Sequence, residues 1–600
     1  MNNNPFAVVT PEEMTAEQAD RLFVEMYSDF PQIRRPGNSI ISGARGCGKS
    51  MFIRCSLPDV LMQKENKSDG KKIKFSDLDY LAFSVSCEKT YPNIKEFEGL
   101  DDKHTPYLIN EHFLALHVLM SALFQLSKIQ IENFDKKKYQ NFFEDVYKRY
   151  MRLSRCLDDI NPDYTSSNSF FLSLYRHTEK MQSDLIIYPS QFALNIEGED
   201  YTYNMPLLSF LRFIVPVFKE MTNLPGFPKN KNIIIFVDDA DNLSKIQTEI
   251  INTWIAYRTQ PSISLKISTQ LGLYKTHLTT AGVLIESPHD YKEINISNRY
   301  TTNAEDKYFD KASEILEKRL KLSGIDIKPE EFFPNYDKQV EGIQKEIELI
   351  KKEYPIKGRG NRLDDDVRRY AVPNYISKLG GRRKSRSTYR YAGLENIVHL
   401  SSGIIRYLLD AVSDMYETAI VKNKDDNITE ISSDIQDRVL RNQADTFLYS
   451  ELLKLNNNYQ LTPINSPAND VEKLQNLICS MGKTFHDILI SDRSERKVFS
   501  IALSNVPDQE LSEIFKLGVR LGFFHETRIG NKEGNGRTLL YIMNRCLAPL
   551  FTLDPTGFQG YLFVTNKALH EAIKTAKPLR TLSECDDDMR QLTFDDILEE

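Results

Sequence analysis

The segment Gly43-Ala44-Arg45-Gly46-Cys47-Gly48-Lys49-Ser50 constrains this chain more than any other. It follows the apolar pair Ile40-Ile41 and precedes a helix-like stretch from Met51 to Cys55. Its glycines let the backbone curl so that successive amides, from Gly43 through Met51, point at a polyphosphate, and the helix that follows adds its positive end. Lys49 would reach the outer phosphates, and the Ser50 hydroxyl would sit on Mg²⁺.

A second element completes the motif. Ile233-Ile234-Ile235-Phe236-Val237 has no polar alternation and reads as a strand buried on both faces, as in a parallel sheet. It runs into Asp238-Asp239-Ala240-Asp241, and ligands of open α/β sheets bind at the carboxyl ends of strands. Asp238 would hold the Mg²⁺, and Asp239 would orient or deprotonate the attacking water. Alone, such a run fits an ordinary strand entering a turn; with the glycine-rich loop it points to a nucleoside triphosphate.

Six hundred residues exceed one core and imply roughly two to four domains. Charged residues make up 27% and no apolar run is read as a membrane span, so no membrane partner is expected. The opening Met1-Asn2-Asn3-Asn4-Pro5-Phe6 has neither basic nor apolar character, so no secretory signal is expected. Seven cysteines without C-x-x-C spacing fit free thiols in a reducing compartment, hence a cytoplasmic location. The net charge of −7 means that any nucleic-acid surface must be local.

Further strands are expected at Leu78–Cys87, Ile263–Thr269 and Tyr291–Ile296, and helices at 16–27, 108–153, 245–257, 307–322, 337–354 and 392–420. Strands alternating with helices indicate a parallel sheet wrapped by helices. Residues 424–435 read as a polar linker. Towards the C-terminus, helix-like segments at Arg493–Leu503 and Gln509–Leu521 precede two strand-like runs, Phe523–Arg528 and Arg537–Ile542, around the glycine-rich turn 529–536. Helix, helix, hairpin is the order of a winged-helix domain.

Taken together these residues resemble an AAA+ ATPase of the origin-recognition-complex-like type. The resemblance is carried by the loop Gly43 to Ser50, the strand end Val237-Asp238-Asp239-Ala240-Asp241, the strand Leu265 to Thr269, and Leu400-Ser401-Ser402-Gly403-Ile404-Ile405-Arg406-Tyr407. It implies an α/β fold: a P-loop AAA+ core at 1–305, a helical lid at 306–425 with an insertion at about 325–390, a helical connector at 426–480, a winged helix at 481–580 and an acidic tail at 581–600. It also implies ATP and Mg²⁺ as ligands, Thr269 as the first γ-phosphate sensor and Arg406 as the second. The arginine finger is open between Arg258 and Arg299. Related ATPases carry Asp-Glu where this chain has Asp238-Asp239. The shorter carboxylate implies slow turnover, and the pair is also typical of signalling ATPases of the STAND branch.

Two features argue for DNA. The tract 357–390 is locally basic, with Arg382, Arg383, Lys384 and Arg386 and with Tyr389 and Tyr391 nearby as stacking partners; a flexible loop or an acidic-protein site is the alternative. The winged-helix pattern supplies Lys516 and Arg520 on the recognition helix, and Arg528, Lys532 and Arg537 on or beside the wing. The acidic tail carries Leu592, Phe594, Ile597 and Leu598 among carboxylates, as a peptide that orders on a protein partner would. The expectation is an oligomeric ATP-dependent switch on DNA or a DNA-bound partner, in antiphage defence or plasmid maintenance. Its rivals are a STAND-type sensor and a scaffold with structural nucleotide.

Overall fold

The computed structural model describes residues 4–26, 30–65, 70–87, 105–156, 160–194, 206–257, 262–296, 305–357, 362–379, 388–423, 428–460, 468–492, 496–530, 537–556 and 560–579. The chain forms two compact units. One comprises Val9–Gly43 and Gly48–Ile296; the other comprises the segment before Val9, the loop residues Ala44–Cys47, and everything after Ile296.

The first unit is built on five strands: β1 (Ser39–Gly43), β2 (Tyr80–Ser86), β3 (Asn232–Asp238), β4 (Ile263–Gln270) and β5 (Lys292–Asn295). Their order is β2-β3-β4-β1-β5 and every pairing is parallel. Parallel neighbours need crossovers, and the helices supply them. Ile233 to Val237 are at most 2% exposed, as their unbroken apolar run requires. Each such side chain contributes about 2 kcal/mol of burial. Because all strands run the same way, their carboxyl ends share one edge of the sheet.

The helices of this unit include α1 (Ala16–Leu22), α2 (Lys49–Arg54), α3 (Thr105–Ser127), α4 (Ser167–Leu194) and α5 (Lys245–Ala256). Thr15 with Gln18, and Ser244 with Gln247, form capping boxes that start α1 and α5. The expected continuous helix over 108–153 is interrupted. It stops at Ser127 and restarts at Lys136, where the Asp135 carboxylate accepts the Lys137 and Lys138 amides. Pro106–Ser127 has the length and apolarity of a membrane span, contrary to the sequence reading, yet 67% of its apolar window is buried inside the protein.

The second unit contains α6 (Glu305–Leu322), α7 (Asp337–Lys357), α8 (Leu363–Leu379), α9 (Leu394–Leu400), α10 (Ile405–Asn423), α11 (Ser433–Asp445), α12 (Ala468–Leu489), α13 (Gln509–Arg520) and α14 (Asn566–Thr575). Helices α7 and α8 pack side by side. A Cβ on Gly342 would come within 2.4 Å of the Tyr375 ring, so only glycine allows that approach. The basic tract is therefore partly helical. The supposed linker is anchored as well: Ile428 and Ile431 are buried, and the Ile431 amide donates to the Phe332 carbonyl at 2.8 Å.

A four-stranded sheet completes this unit, with β6 (Val498–Leu503), β7 (Phe524–Gly530), β8 (Arg537–Met543) and β9 (Gly560–Val564) in the order β7-β8-β6-β9. The hairpin β7–β8 lies where the sequence placed it. Among the described residues the expected helix over 493–503 is not found; Val498–Leu503 is a strand, antiparallel to β8 and parallel to β9. All six of its residues are buried, and a short run buried throughout carries no period that separates helix from strand.

Candidate nucleotide site

Strand β1 ends at Gly43, and the chain then turns through the glycine-rich loop. Gly46 and Gly48 have φ of +82° and +101°, a region that L-residues with side chains avoid. The Cys47 amide donates to the Ala44 carbonyl at 3.4 Å, closing the turn, and Cys47 itself is buried while Arg45 is exposed. Lys49 opens α2 and is buried; its Nζ donates to the Gly43 carbonyl at 2.9 Å. Ser50 and Met51 follow on the same helix, half-buried.

Two strands away, Asp238 ends β3 and is 5% exposed. Its Oδ1 accepts the Asp239 amide at 3.0 Å, and its carbonyl accepts the Cys87 amide at 3.0 Å. Asp239 sits at φ +52° and ψ +41°, a left-handed conformation that costs about 1 kcal/mol for a residue other than glycine and concentrates at functional sites. Its carboxyl is raised to about 6, first by burial, then by Asp238 and Asp241, with Lys49 opposing.

Strand β4 lies between β3 and β1. Its register puts Thr269 opposite Ser42, the residue before Gly43. Thr269 is buried, with its hydroxyl donating to the Gln270 carbonyl at 3.3 Å. Gly43, Lys49, Asp238, Asp239 and Thr269 thus meet at the carboxyl edge of one sheet. The sequence pattern assigns Asp241 no role of its own. The structure shows its Oδ1 accepting the Gln270 amide at 3.0 Å, which ties the end of β4 to the acidic turn. Glu12 adds to the negative field on Asp239, and its position so far upstream gave no signal.

In the second unit, the Arg406 amide at the start of α10 donates to the Gly46 carbonyl at 3.1 Å. A Cβ on Gly46 would lie 2.6 Å from the Arg406 Cβ, so this contact needs glycine there.

Among the described residues no set of three or more His, Cys, Asp or Glu side chains converges as a metal cage. A Mg²⁺ ion needs only one or two carboxylates, with phosphate oxygens and water completing its shell. The left-handed glycines and the raised carboxyl of Asp239, in a net acidic turn facing Lys49, fit a cation–polyphosphate ligand.

Lys516, Arg520, Arg528 and Arg537 are exposed on α13 and the β7–β8 hairpin. Lys532, Arg382, Arg383, Lys384, Arg386, Arg258, Arg299 and the acidic tail lie outside the described residues. Tyr389 and Tyr391 are not stacking partners for bases. They are 3% and 0% exposed, and the Tyr391 hydroxyl donates to the Leu553 carbonyl at 2.7 Å. Their aromatic area is committed to the core.

The ORC-CDC6-like family matches residues 4–563. Among solved structures, the chain is similar to the Aeropyrum pernix Orc1 protein in complex with DNA, at 11% identity and TM-score 0.23, over 91% of this chain and 94% of that one. It is similar to Cdc6p from Pyrobaculum aerophilum at 13% identity and TM-score 0.26, over 96% and 98%. It is also similar to Drosophila ORC bound to DNA at 10% identity and TM-score 0.25, over 91% and 94%. No curated protein matches. The match along almost the whole length, on a chain that carries a glycine-rich phosphate loop and an acidic strand end, places it in the ORC-CDC6-like family of AAA+ ATPases.

Proposed function

We propose that this chain is an ATP-driven switch that acts on DNA or on a DNA-bound partner. The observation that carries the reading is the convergence of Lys49, Asp238 and Asp239 at the carboxyl edge of the parallel sheet, next to a loop in which Gly46 and Gly48 are left-handed. The amides of Gly43 to Met51 hold the phosphates, Lys49 neutralises the outer ones, and Ser50 and Asp238 hold Mg²⁺. The cation, when bound, offsets the charge that builds on the phosphoryl oxygens. Asp239 accepts the proton of the attacking water; with its carboxyl raised to about 6, it is a stronger base than a free carboxylate yet still mostly ionised at neutral pH. Thr269 and Arg406 contact the terminal phosphate, and Arg406 reports its loss to the lid. An aspartate at position 239 gives slow turnover, which suits a switch that spends most of its time in one nucleotide state.

The domain division that serves this mechanism is a core at 1–305, a lid at 306–425 with an insertion at about 325–390, a connector at 426–480, a winged helix at 481–580 and a docking tail at 581–600. Exposed Lys516, Arg520 and Arg537 support DNA contact, since cations free in solvent can meet phosphates. Lys532, Arg382, Arg383, Lys384 and Arg386 are further candidates for phosphate contact on their charge alone. A cytoplasmic homo-oligomer in a prokaryotic antiphage or plasmid-maintenance system is the setting we favour. The Asp238-Asp239 pair favours one other reading, a STAND-type sensor that oligomerises on a foreign protein. ATP hydrolysis measured with and without duplex DNA at two salt concentrations separates them. Stimulation by DNA, weakened by salt, is expected for the switch; ligand-triggered oligomerisation with no DNA effect would replace it with the sensor.

A further inference from the structure

We propose that Ser402, His525 and Arg545 are positioning residues that hold Arg406 on the phosphate loop, so that the base of the β7–β8 hairpin sets how well the loop distinguishes a nucleoside triphosphate from a diphosphate. The inference rests on the nucleotide reading above and adds a regulator to that same site.

The turn between α9 and α10 is the starting point. Ser402 and Gly403 follow one another at φ +53° and +79°. A serine in this region persists only where its surroundings over-determine it. Within the turn, the Ser402 amide donates to the His399 carbonyl at 3.0 Å and the Ile404 amide to the Ser401 carbonyl at 2.9 Å. Ser401 Oγ lies 2.7 Å from the Tyr308 hydroxyl on α6.

The rest of the support comes from the hairpin. The Arg545 amide, just past β8, donates to Ser402 Oγ at 3.2 Å, and Ser402 Oγ lies 3.4 Å from His525 Nε2 on β7. The serine oxygen accepts from Arg545 and keeps both its proton and a second lone pair for the imidazole. Burial and Arg545 lower His525 to about 4, so the ring is neutral and able to accept. Arg545 is itself fixed: its Nη1 reaches the Pro555 carbonyl at 3.1 Å and His399 Nδ1 at 3.2 Å.

A second route runs through the residue after Arg406. The Tyr407 ring lies 5.4 Å from Phe447, which stacks at 4.4 Å on Phe523, the residue before β7. Gln443 Nε2 donates to the Tyr407 carbonyl at 3.1 Å. On its other side, the Arg406 amide is docked on the Gly46 carbonyl at 3.1 Å. Two independent sets of packed contacts therefore join the hairpin base to the first turn of α10, and that turn to the phosphate loop. Close-packed contacts of this kind shift between discrete arrangements instead of stretching. A load on the hairpin is thereby felt at Arg406.

The test uses equilibrium titrations of the full chain with fluorescent ATP and ADP analogues. Ser402→Gly suits it because glycine favours the backbone already present and removes only the small hydroxymethyl group. Arg406→Ala, Ser402→Gly and His525→Leu should each reduce the preference for ATP over ADP by about three- to tenfold. His525→Gln should restore it, since its side-chain amide can both accept from and donate to the Ser402 hydroxyl. Combining Ser402→Gly with Arg406→Ala should give no further loss. A purely structural role would lower the melting temperature and leave the preference intact. If Arg406→Ala loses the preference while Ser402→Gly and His525→Leu keep it, the positioning role is overturned. If Arg406→Ala itself keeps the parent preference, the assignment of Arg406 to the terminal phosphate falls, and this inference with it.

Discussion

The Lys49 ammonium lies 2.9 Å from the carbonyl oxygen of Gly43, the residue that ends β1 and opens the loop. The contact brings the ammonium back to the start of the loop, where its charge can meet an anion held by the loop amides. Charged hydrogen bonds of this kind are worth about 2–3 kcal/mol. Lys49→Ala should therefore weaken ATP binding by roughly a hundredfold and reduce turnover to background. Direct calorimetric titration checks it, and an unchanged affinity would remove the phosphate-loop assignment.

Gly46 is constrained twice, by its φ of +82° and by the 2.6 Å that would separate an added Cβ from that of Arg406. Gly46→Ala should cost about 1–2 kcal/mol from backbone strain alone. It should also push α10 away from the loop. The expected result is a lower melting midpoint together with weaker ATP binding. A variant with parent stability and affinity would show that the Arg406–Gly46 contact is not kept in solution.

Asp239 holds a left-handed conformation that asparagine also tolerates, so Asp239→Asn removes the charge with little change of backbone. ATP binding should persist within a few-fold, while hydrolysis falls by about a hundredfold or more, the usual contribution of a general base. Asp239→Glu adds the methylene that related ATPases carry and should raise turnover. Hydrolysis at the parent rate in the Asp239→Asn variant would exclude this carboxylate as the base.

The core of the candidate site can be read from sequence because its parts are local. Eight consecutive residues define the loop, and an unbroken apolar run defines β3 and delivers Asp238 and Asp239 at its end. What escaped reading depends on distant partners. Gly46 is needed because Arg406, far downstream in the chain, crosses it, and nothing in the loop motif records that. Val498–Leu503 becomes a strand because β8 and β9 flank it. Tyr389 and Tyr391 looked like stacking partners beside a basic tract, yet their rings are buried, and the Tyr391 hydroxyl is held by the Leu553 backbone. A pattern of aromatics among charges does not reveal which side of the chain faces the core.

Four histidines give the protein a defined acid limit. His112 and His117 in the first unit, and His399 and His525 in the second, are all lowered to about 4, chiefly by burial. Between pH 4 and 6.5 the unfolded chain binds protons that the folded one refuses, so stability is full above 6.5 and is lost as pH falls towards 4. At pH 5 each histidine accounts for about 2 kcal/mol. Urea melts should therefore lose stability from pH 7 to 5. His112 Nδ1 accepts the Leu208 amide at 2.9 Å, and the oxygen of an asparagine could take that place. His112→Asn should flatten the loss by about 2 kcal/mol at pH 5; an unaltered profile would acquit this imidazole.

DNA contact makes a prediction that depends on salt more than on affinity. Lys516 and Arg520 are exposed one helical turn apart on α13, and Arg528 and Arg537 are exposed on the hairpin strands. Each residue that neutralises a phosphate adds about 0.9 to the slope of log K against log salt. Replacing Lys516 and Arg520 with alanine should lower that slope by about 1.8 and weaken binding equally for unrelated duplexes, because phosphate contacts carry no sequence information. Fluorescence anisotropy across a salt series measures both quantities. A loss confined to one duplex would instead indicate contacts to bases, and an unchanged slope would place the DNA surface elsewhere on the chain.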